Sequence, residues 1–473
     1  WTYYDELGNI QEKGPWAQNV QHGKWEYYNA DGSLNRFGDW DNGEQTREWT
    51  YLYDNGDVME RGTWVSGKQH GKWKYFYQGG QIEETGSWYH GEAEGEWINY
   101  YENGNIKKKG YWEKGKRTGH WEYFFESGQM DQEGDYVEGV QEGLWRYYYE
   151  SGAIESEGRW YQDENHGEWT YYFENGQLQE TGVWRDNEND GVWKFYYEDG
   201  TLKKTGSWDL GVQHGVWSYY NELGNLEERG EWNQGKQEGL WEYYFPSGKI
   251  KEAGRWKNGE QVGEWTYYYE NGLVEKKGSW EKEYNVGVWT YYYENGNIEK
   301  TGERSDGHAI GKWTYYHLNG NKKEEGTFNA HGNEIGLWKI YHENGNLSRT
   351  GEWIGGKQHG RWSYYNEEGQ LIEEGYWNQG IQHGVWLYYH EDGKLSTQGN
   401  WDRGTQTGEW MYYYKSGKLK EHGFWKKGVQ DGNWKYYHEN GKLQQEGQFR
   451  NGEPYGEWKD YDVRGTYLRS RYY

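Results

Sequence analysis

Trp1 is followed by a tryptophan every 24 residues, at Trp25, Trp49, Trp73 and Trp97, without a slip as far as Trp313. One residue is then inserted, and the series resumes at Trp338 and runs to Trp458. A second series, offset by 15, starts at Trp16, Trp40 and Trp64 and ends at Trp425; the two together hold all 35 tryptophans. A period in this range means a repeat architecture, in which each unit buries its apolar face only against its neighbours. The chain reads as one array over 1–473, with no linker dividing it and an irregular stretch at 302–337.

The unit is seen at Trp410 to Asn433, W-M-Y-Y-Y-K-S-G-K-L-K-E-H-G-F-W-K-K-G-V-Q-D-G-N. Two alternating aromatic stretches flank Ser416-Gly417, or Asn103-Gly104, Asn175-Gly176 and Asp199-Gly200 elsewhere. Asn-Gly and Asp-Gly between β-formers signal a hairpin with a two-residue type I′ turn, which needs positive φ at both positions. The turn glycines include Gly56, Gly104, Gly176, Gly296 and Gly417. No helical period competes, so the fold class is all-β: an array of antiparallel hairpins in a single-layer meander, curled or packed face to face. About forty strands at about 4.8 Å each would extend on the order of 190 Å.

A two-residue turn at Ser416-Gly417 sets Tyr414 opposite Leu419, Tyr412 opposite Glu421, Trp410 opposite Gly423 and Gly408 opposite Trp425. The same register pairs Trp25 with Gly38 and Gly23 with Trp40. Directly opposed residues share a face. Each tryptophan thus meets a glycine, over whose bare backbone a ring can lie flat. The second connection, Lys427-Gly428, reads as another short turn that sets Trp425 opposite Gln430. One face carries both tryptophan series; the other carries Tyr4, Tyr28 and Tyr413 among Thr, Lys, Glu and Gln.

The pattern G-x-W-x-Y-Y-x-x-x-G-x-(I/L)-x-x-x-G-x-W-x-x-G, as in Gly71 to Tyr77 and Gly432 to Gly441, resembles the MORN-repeat variant of bacterial repeat proteins along the whole chain. The resemblance implies stacked hairpins and a scaffolding or interaction role, with no catalytic residues to carry over. Weaker resemblances run to the YD repeats of shell-forming toxins and to choline- and glucan-binding repeats.

Net charge is −26. This disfavours nucleic acid, whose affinity comes from phosphate neutralisation, and anionic membranes for the same reason. Cysteine is absent, which rules out disulfides and thiolate metal sites. The chain has no run of eighteen apolar residues that could span a membrane as a helix. Both ends fall in frame with the repeat, which suggests a segment of a longer polypeptide.

The tryptophan face has two readings: rings that hold the sheet together, or a groove for glycans or choline-type cations, which favour aromatic surfaces. The spacing is explained by the first without a ligand. An aromatic face of this length would far exceed the few hundred Å² usual on a soluble monomer, so the sheet should curl, pair with another copy, or meet a partner. His22, His70, His214, His359 and His383 recur in loops, and His317, His342, His390 and His438 after the tyrosine pair. Equivalent positions lie about 9.6 Å apart, too far to share one metal. Two acidic loops, at Asp163 and at Asp186 to Gly191, read as turn variants rather than calcium sites, since Tyr197 holds the place of the bidentate Glu.

Between Gly302 and Gly336 several anchors change together. Arg304 and Phe328 replace tryptophans, Lys322 replaces Ile/Leu, and the inserted residue lies within Asn329–Ile335. The stretch predicts a bend, a change of twist or a contact site, with sequence drift as the other reading. No nucleophile–base pair, phosphate-binding loop or paired buried carboxylates stand out. The expectation is therefore no enzyme, no metal and no cofactor. It is a structural protein forming or decorating an extended fibre, stalk or cell-surface assembly through aromatic-face and strand-edge contacts, with copies of itself as partner. A ligand-binding module is the alternative. A bacterial surface suits long cysteine-free arrays; a cytoplasmic scaffold is the rival location.

Overall fold

The computed structural model describes residues 1–473 and contains β-strands and turns only. Trp1–Lys236 and Gln237–Tyr473 form two compact units. Each is an antiparallel meander in which a strand pairs with those before and after it, and neither closes into a barrel. Trp16–Ala17 and Val20–Gln21 make a separate two-stranded pair.

Each repeat contributes two strands, such as Thr405–Tyr413 and Leu419–Lys426. Their register is Gly408–Trp425, Trp410–Gly423 and Tyr412–Glu421. Near the turn the pairing differs from a two-residue loop: Tyr413, not Tyr414, opposes Leu419, across a register shift. The Gly417 amide donates to the Tyr414 carbonyl, and the Tyr414 amide donates to the Lys418 carbonyl. Only Gly417 has positive φ (85°). This is a three-residue loop, a type I turn closed by a glycine bulge, and Gly56, Gly104, Gly176 and Gly296 hold the same left-handed place.

The type I′ geometry sits instead at the second connection. Lys427 (φ 52°) and Gly428 (φ 80°) are both left-handed there, between the Lys426–Val429 pair. The twist of a two-residue hairpin imposes this on whichever residue comes first, so His90, Leu210 and Lys427 all adopt it.

Asparagine in the Asn-Gly loops has a different task. Asn319 Nδ2 donates to the Glu343 carbonyl and Asn344 Nδ2 to the Glu367 carbonyl, each in the following repeat. The residue just before the loop does likewise. Tyr293 Oη donates to the Tyr316 carbonyl at 2.8 Å, and His390 Nε2 lies 3.0 Å from the Tyr413 carbonyl. His317, His342 and His438 take the same place, so these histidines stand in for tyrosine in stapling one repeat to the next.

The core is made of the first tryptophan series. Trp25, Trp49, Trp145, Trp217, Trp265 and Trp362 are completely buried although the sheet has a single layer. Trp217 stacks on Tyr219 (6.0 Å) and on Phe195 of the preceding repeat (6.3 Å), and Trp208 meets it edge-on at 5.4 Å. Its indole N–H donates to the Ser207 carbonyl at 3.0 Å. Offset-stacked and edge-to-face contacts each add about 0.5–1.5 kcal/mol beyond the area buried. Neighbouring repeats therefore supply the cover that a second sheet would otherwise provide.

Candidate functional site

The repeated aromatic–glycine unit is the chain's recurrent structural device. Trp25 is the register partner of Gly38, and Gly23 that of Trp40. The ring that lies on Gly38, however, belongs to Trp49, the tryptophan of the next repeat. A Cβ built on Gly38 would fall 2.3 Å from Trp49 Cδ2. Likewise Trp410 lies on Gly399, and Gly423 is covered by Trp434. The ring leans across the type I′ connection rather than across its own hairpin.

The glycine opposite the second series has another reason to be glycine. Gly408 lies opposite Trp425 yet carries no ring; its φ of 64° marks the bulge between the Asn400–Thr407 and Gly399–Trp410 pairs of the preceding connection. Tryptophans of the second series are half-buried at the rim. In three repeats their N–H donates to a tyrosine hydroxyl at 3.1 Å: Trp88 to Tyr75, Trp280 to Tyr267 and Trp377 to Tyr364. Burial pushes the hydroxyls of Tyr75 and Tyr267 up to about 12.

In the irregular stretch, strands His308–Tyr316, Lys322–Phe328 and Glu334–Tyr341 remain paired. The inserted residue is absorbed by an exchange of turn. The Asn329 amide donates to the Asn333 carbonyl and Gly332 to the Asn329 carbonyl, the three-residue form in place of the two-residue one. Beyond it Gly326 again lies under a ring, that of Trp338. Phe328 keeps the edge-on contacts to Trp313 and Trp338. Arg304 replaces an indole edge with a guanidinium 5.8 Å from the rings of Tyr291 and Trp313. Lys322 is exposed and pairs with Glu325 at 3.0 Å. Two buried donors lack an acceptor here, the indole N–H of Trp338 and Nε of Arg304.

His120, Glu122 and Glu133 bring ligand atoms within 4.8 Å of one another, but His120 is exposed. The three already have partners: His120 with Asp135, Glu122 with Lys109, and Glu133 with the Tyr148 hydroxyl. At the acidic loops, Gln162-Asp163 and Asp186-Asn187 are two-residue left-handed turns, and Asp190 pairs with Arg185 at 2.6 Å. Neither loop gathers its carboxylates around a point.

A surface that sequence reading missed lies on the face away from the tryptophans. Immediately before each first-series tryptophan comes a solvent-facing residue, and in several repeats it is aliphatic: Val192, Val216, Val288 (66% exposed), Leu337 and Val385. Polar residues oppose them, as in Val288–Glu303 and Leu337–Glu352. The signal was available in the G-x-W triplet, where Leu or Val takes a place held by Lys or Glu elsewhere.

The model of the MORN repeat variant matches the chain at 69–88, 93–114, 117–138, 141–160, 165–186, 189–209, 237–258, 261–282, 285–305, 310–330, 334–354, 358–379, 382–403, 406–427 and 430–451. No curated protein matches. Among solved structures, the crystal structure of TcdB2-TccC3 aligns with 93% of this chain and 31% of its own, at 11% identity and a TM-score of 0.14. The Photorhabdus luminescens Tc holotoxin pore aligns with 100% of this chain and 27% of its own, at 12% identity and a TM-score of 0.15. This chain thus spans less than a third of either.

Proposed function

We propose a scaffold function for this chain, which belongs to the MORN repeat variant family by matches that cover more than half of its length. It is a structural repeat protein that forms or decorates an extended assembly at a bacterial surface, with copies of itself as partner. The observation that carries this reading is the exposed aliphatic row on the face away from the tryptophans, Val288, Leu337 and Val385 among them. Because the first-series rings are spent on the chain's own core, association falls to that row. Val288, Leu337 and Val385 stand in alternate repeats, about 19 Å apart at four strand spacings, with Lys312 and Arg361 between them, charges that fix partner register.

Sedimentation equilibrium and negative-stain imaging of the full chain test the reading. The wild type should assemble with rising concentration. A Val288→Lys, Leu337→Lys, Val385→Lys variant should stay dispersed with an unchanged far-UV spectrum, since all three side chains are exposed. A wild type that stays monomeric at the highest attainable concentration contradicts it.

A further inference from the structure

One repeat departs from the others at two positions that meet in space. Most repeats place glutamine opposite the second-series tryptophan, as in Trp64–Gln69 and Trp425–Gln430. In the repeat at Trp88 this residue is Ala93. The tyrosine expected two residues after Trp97 is Asn99. Both truncations open the same place. A cavity of ≈ 550 Å³ results, lined by Tyr75, Trp88, Trp97, Trp112, Ala93 and Glu84, with more apolar than polar surface. Its size lies within the roughly 300–1,000 Å³ of small-molecule sites.

The next repeat reveals what such a box holds. There the residue opposite Trp112 is Arg117. Its guanidinium lies 5.0 Å from the ring of Trp121, 5.2 Å from Tyr136 and 5.8 Å from Trp112. Adding 24 to Trp88, Ala93, Trp97 and Trp112 gives Trp112, Arg117, Trp121 and Tyr136. The two boxes are thus repeat equivalents. One is filled by the chain's own cation, and the other is walled by the same rings around an alanine. Elsewhere the chain also lays cations on this aromatic surface: Lys204 Nζ is 4.4 Å from the Phe195 ring, and Arg304 meets Tyr291 and Trp313.

Charge at the Ala93 box fits the same ligand. The position of Glu84 becomes Lys108 beside Arg117, so a carboxylate stands where the box lacks its own cation. Glu84 is half-buried and loss of water pushes its carboxyl up, against a hydrogen bond from the Asn99 side chain and the more distant charge of Lys108. A bound cation would offset that cost, and the chain's net charge of −26 raises the local cation concentration.

We infer that the Ala93 box binds a quaternary ammonium group, held by the faces of Trp88, Trp97, Trp112 and Tyr75 and balanced by Glu84. Attraction of a cation to ring faces is strongest for tryptophan and grows with desolvation. The group could arrive on a free choline-like molecule or on an N-trimethylated lysine of a protein.

The test is titration of the full chain, followed by tryptophan fluorescence and calorimetry. Tetramethylammonium and choline should bind saturably. Dimethylbutanol, the neutral carbon isostere of choline, should bind about tenfold more weakly. Ala93→Arg, which recreates the neighbouring box, should abolish binding and leave thermal unfolding unchanged. Ala93→Gln, the side chain found in other repeats, gives a second route to the same loss should the arginine variant misfold. Glu84→Gln should weaken choline and leave dimethylbutanol unaffected. A trimethyl-lysine peptide compared with free choline identifies the source, and tighter binding of either supports the site. No saturable signal, equal binding of the isostere, or full binding by both Ala93 variants overturns the inference.

Discussion

Substituting Gly206 by alanine isolates the interaction on which the fold rests. A Cβ there would sit 2.1 Å from Cδ2 of Trp217, a ring with no solvent exposure. Carbon atoms settle at about 3.5–4.0 Å, so the indole must withdraw by about 1.5 Å. Withdrawal disturbs the stacks on Phe195 and Tyr219, the edge contact with Trp208 and the N–H bond to the Ser207 carbonyl. Three ring contacts at about 0.5–1.5 kcal/mol and one hydrogen bond at about 1 kcal/mol give roughly 3–5 kcal/mol. That matches the cost of about 3–5 kcal/mol for deleting a buried Trp or Phe side chain. Gly215 in the same repeat is glycine for its φ of 68° alone, since a Cβ there would meet nothing closer than Ser207 Cβ at 3.9 Å. Gly215→Asn should therefore cost under about 1 kcal/mol, because asparagine tolerates that conformation. Hydrogen exchange followed strand by strand is the assay, as repeat arrays respond through nearest neighbours. Protection should fall by about a hundredfold or more around Thr205 and Ser218 in Gly206→Ala and hold in distant repeats. A Gly206→Ala chain within about 0.5 kcal/mol of wild type would refute the ring-on-glycine account.

Three further outcomes follow from single contacts. Trp338→Phe should cost about 1 kcal/mol less than Trp362→Phe in denaturant unfolding, because Trp362 gives up a bond to the Glu352 carbonyl and Trp338 has none to lose. His390→Phe should lose about 1 kcal/mol and His390→Tyr should regain it, since tyrosine makes the same staple from Tyr414 to the Tyr437 carbonyl. The Tyr341 hydroxyl and Lys322 hold the Glu325 carboxyl at about 2, so its contribution is present above 4.5 and lost as pH falls from 4.5 to about 2. Tyr341→Phe should move that loss to higher pH in an acid unfolding titration. Glu84, Glu180 and Glu252, raised by burial, act in the opposite sense and favour the fold as pH falls towards 4.5.

Pairing of strands was legible in the sequence because a period of two and a glycine-marked turn leave few registers. Trp410 opposite Gly423 and Trp425 opposite Gln430 needed only counting. Turn type was not legible. Asn-Gly serves a type I turn with a bulge as well as a type I′ turn, and the choice depends on the residue after it. The true type I′ sites begin with Lys427, Leu210 or His90, which carry no local preference for positive φ and adopt it because the strands on both sides are pinned. Which ring covers which glycine was hidden for a related reason. Register across the hairpin places Gly423 beside Trp410, but across the type I′ connection a bulge in the following strand brings the next tryptophan opposite the glycine, as Trp410 comes opposite Gly399. The full burial of Trp217 and Trp265 in a single-layer sheet depends on how neighbouring repeats close over a ring, which no count along one repeat supplies. At the candidate site, the glutamine position was visible as a column, and Ala93 and Arg117 stand out in it once the repeats are compared by geometry.

Hydroxyl-radical footprinting of the full chain, read at each tryptophan over a range of concentrations, shows whether the rings of the 24-residue period form the chain's own core. First-series rings such as Trp49, Trp217 and Trp362 should stay unlabelled even in the most dilute sample, while rim residues such as Trp64 and Trp353 react. Equal labelling of the two series, or protection of Trp217 that develops only as concentration rises, would contradict it, for the rings would then be a surface awaiting a partner.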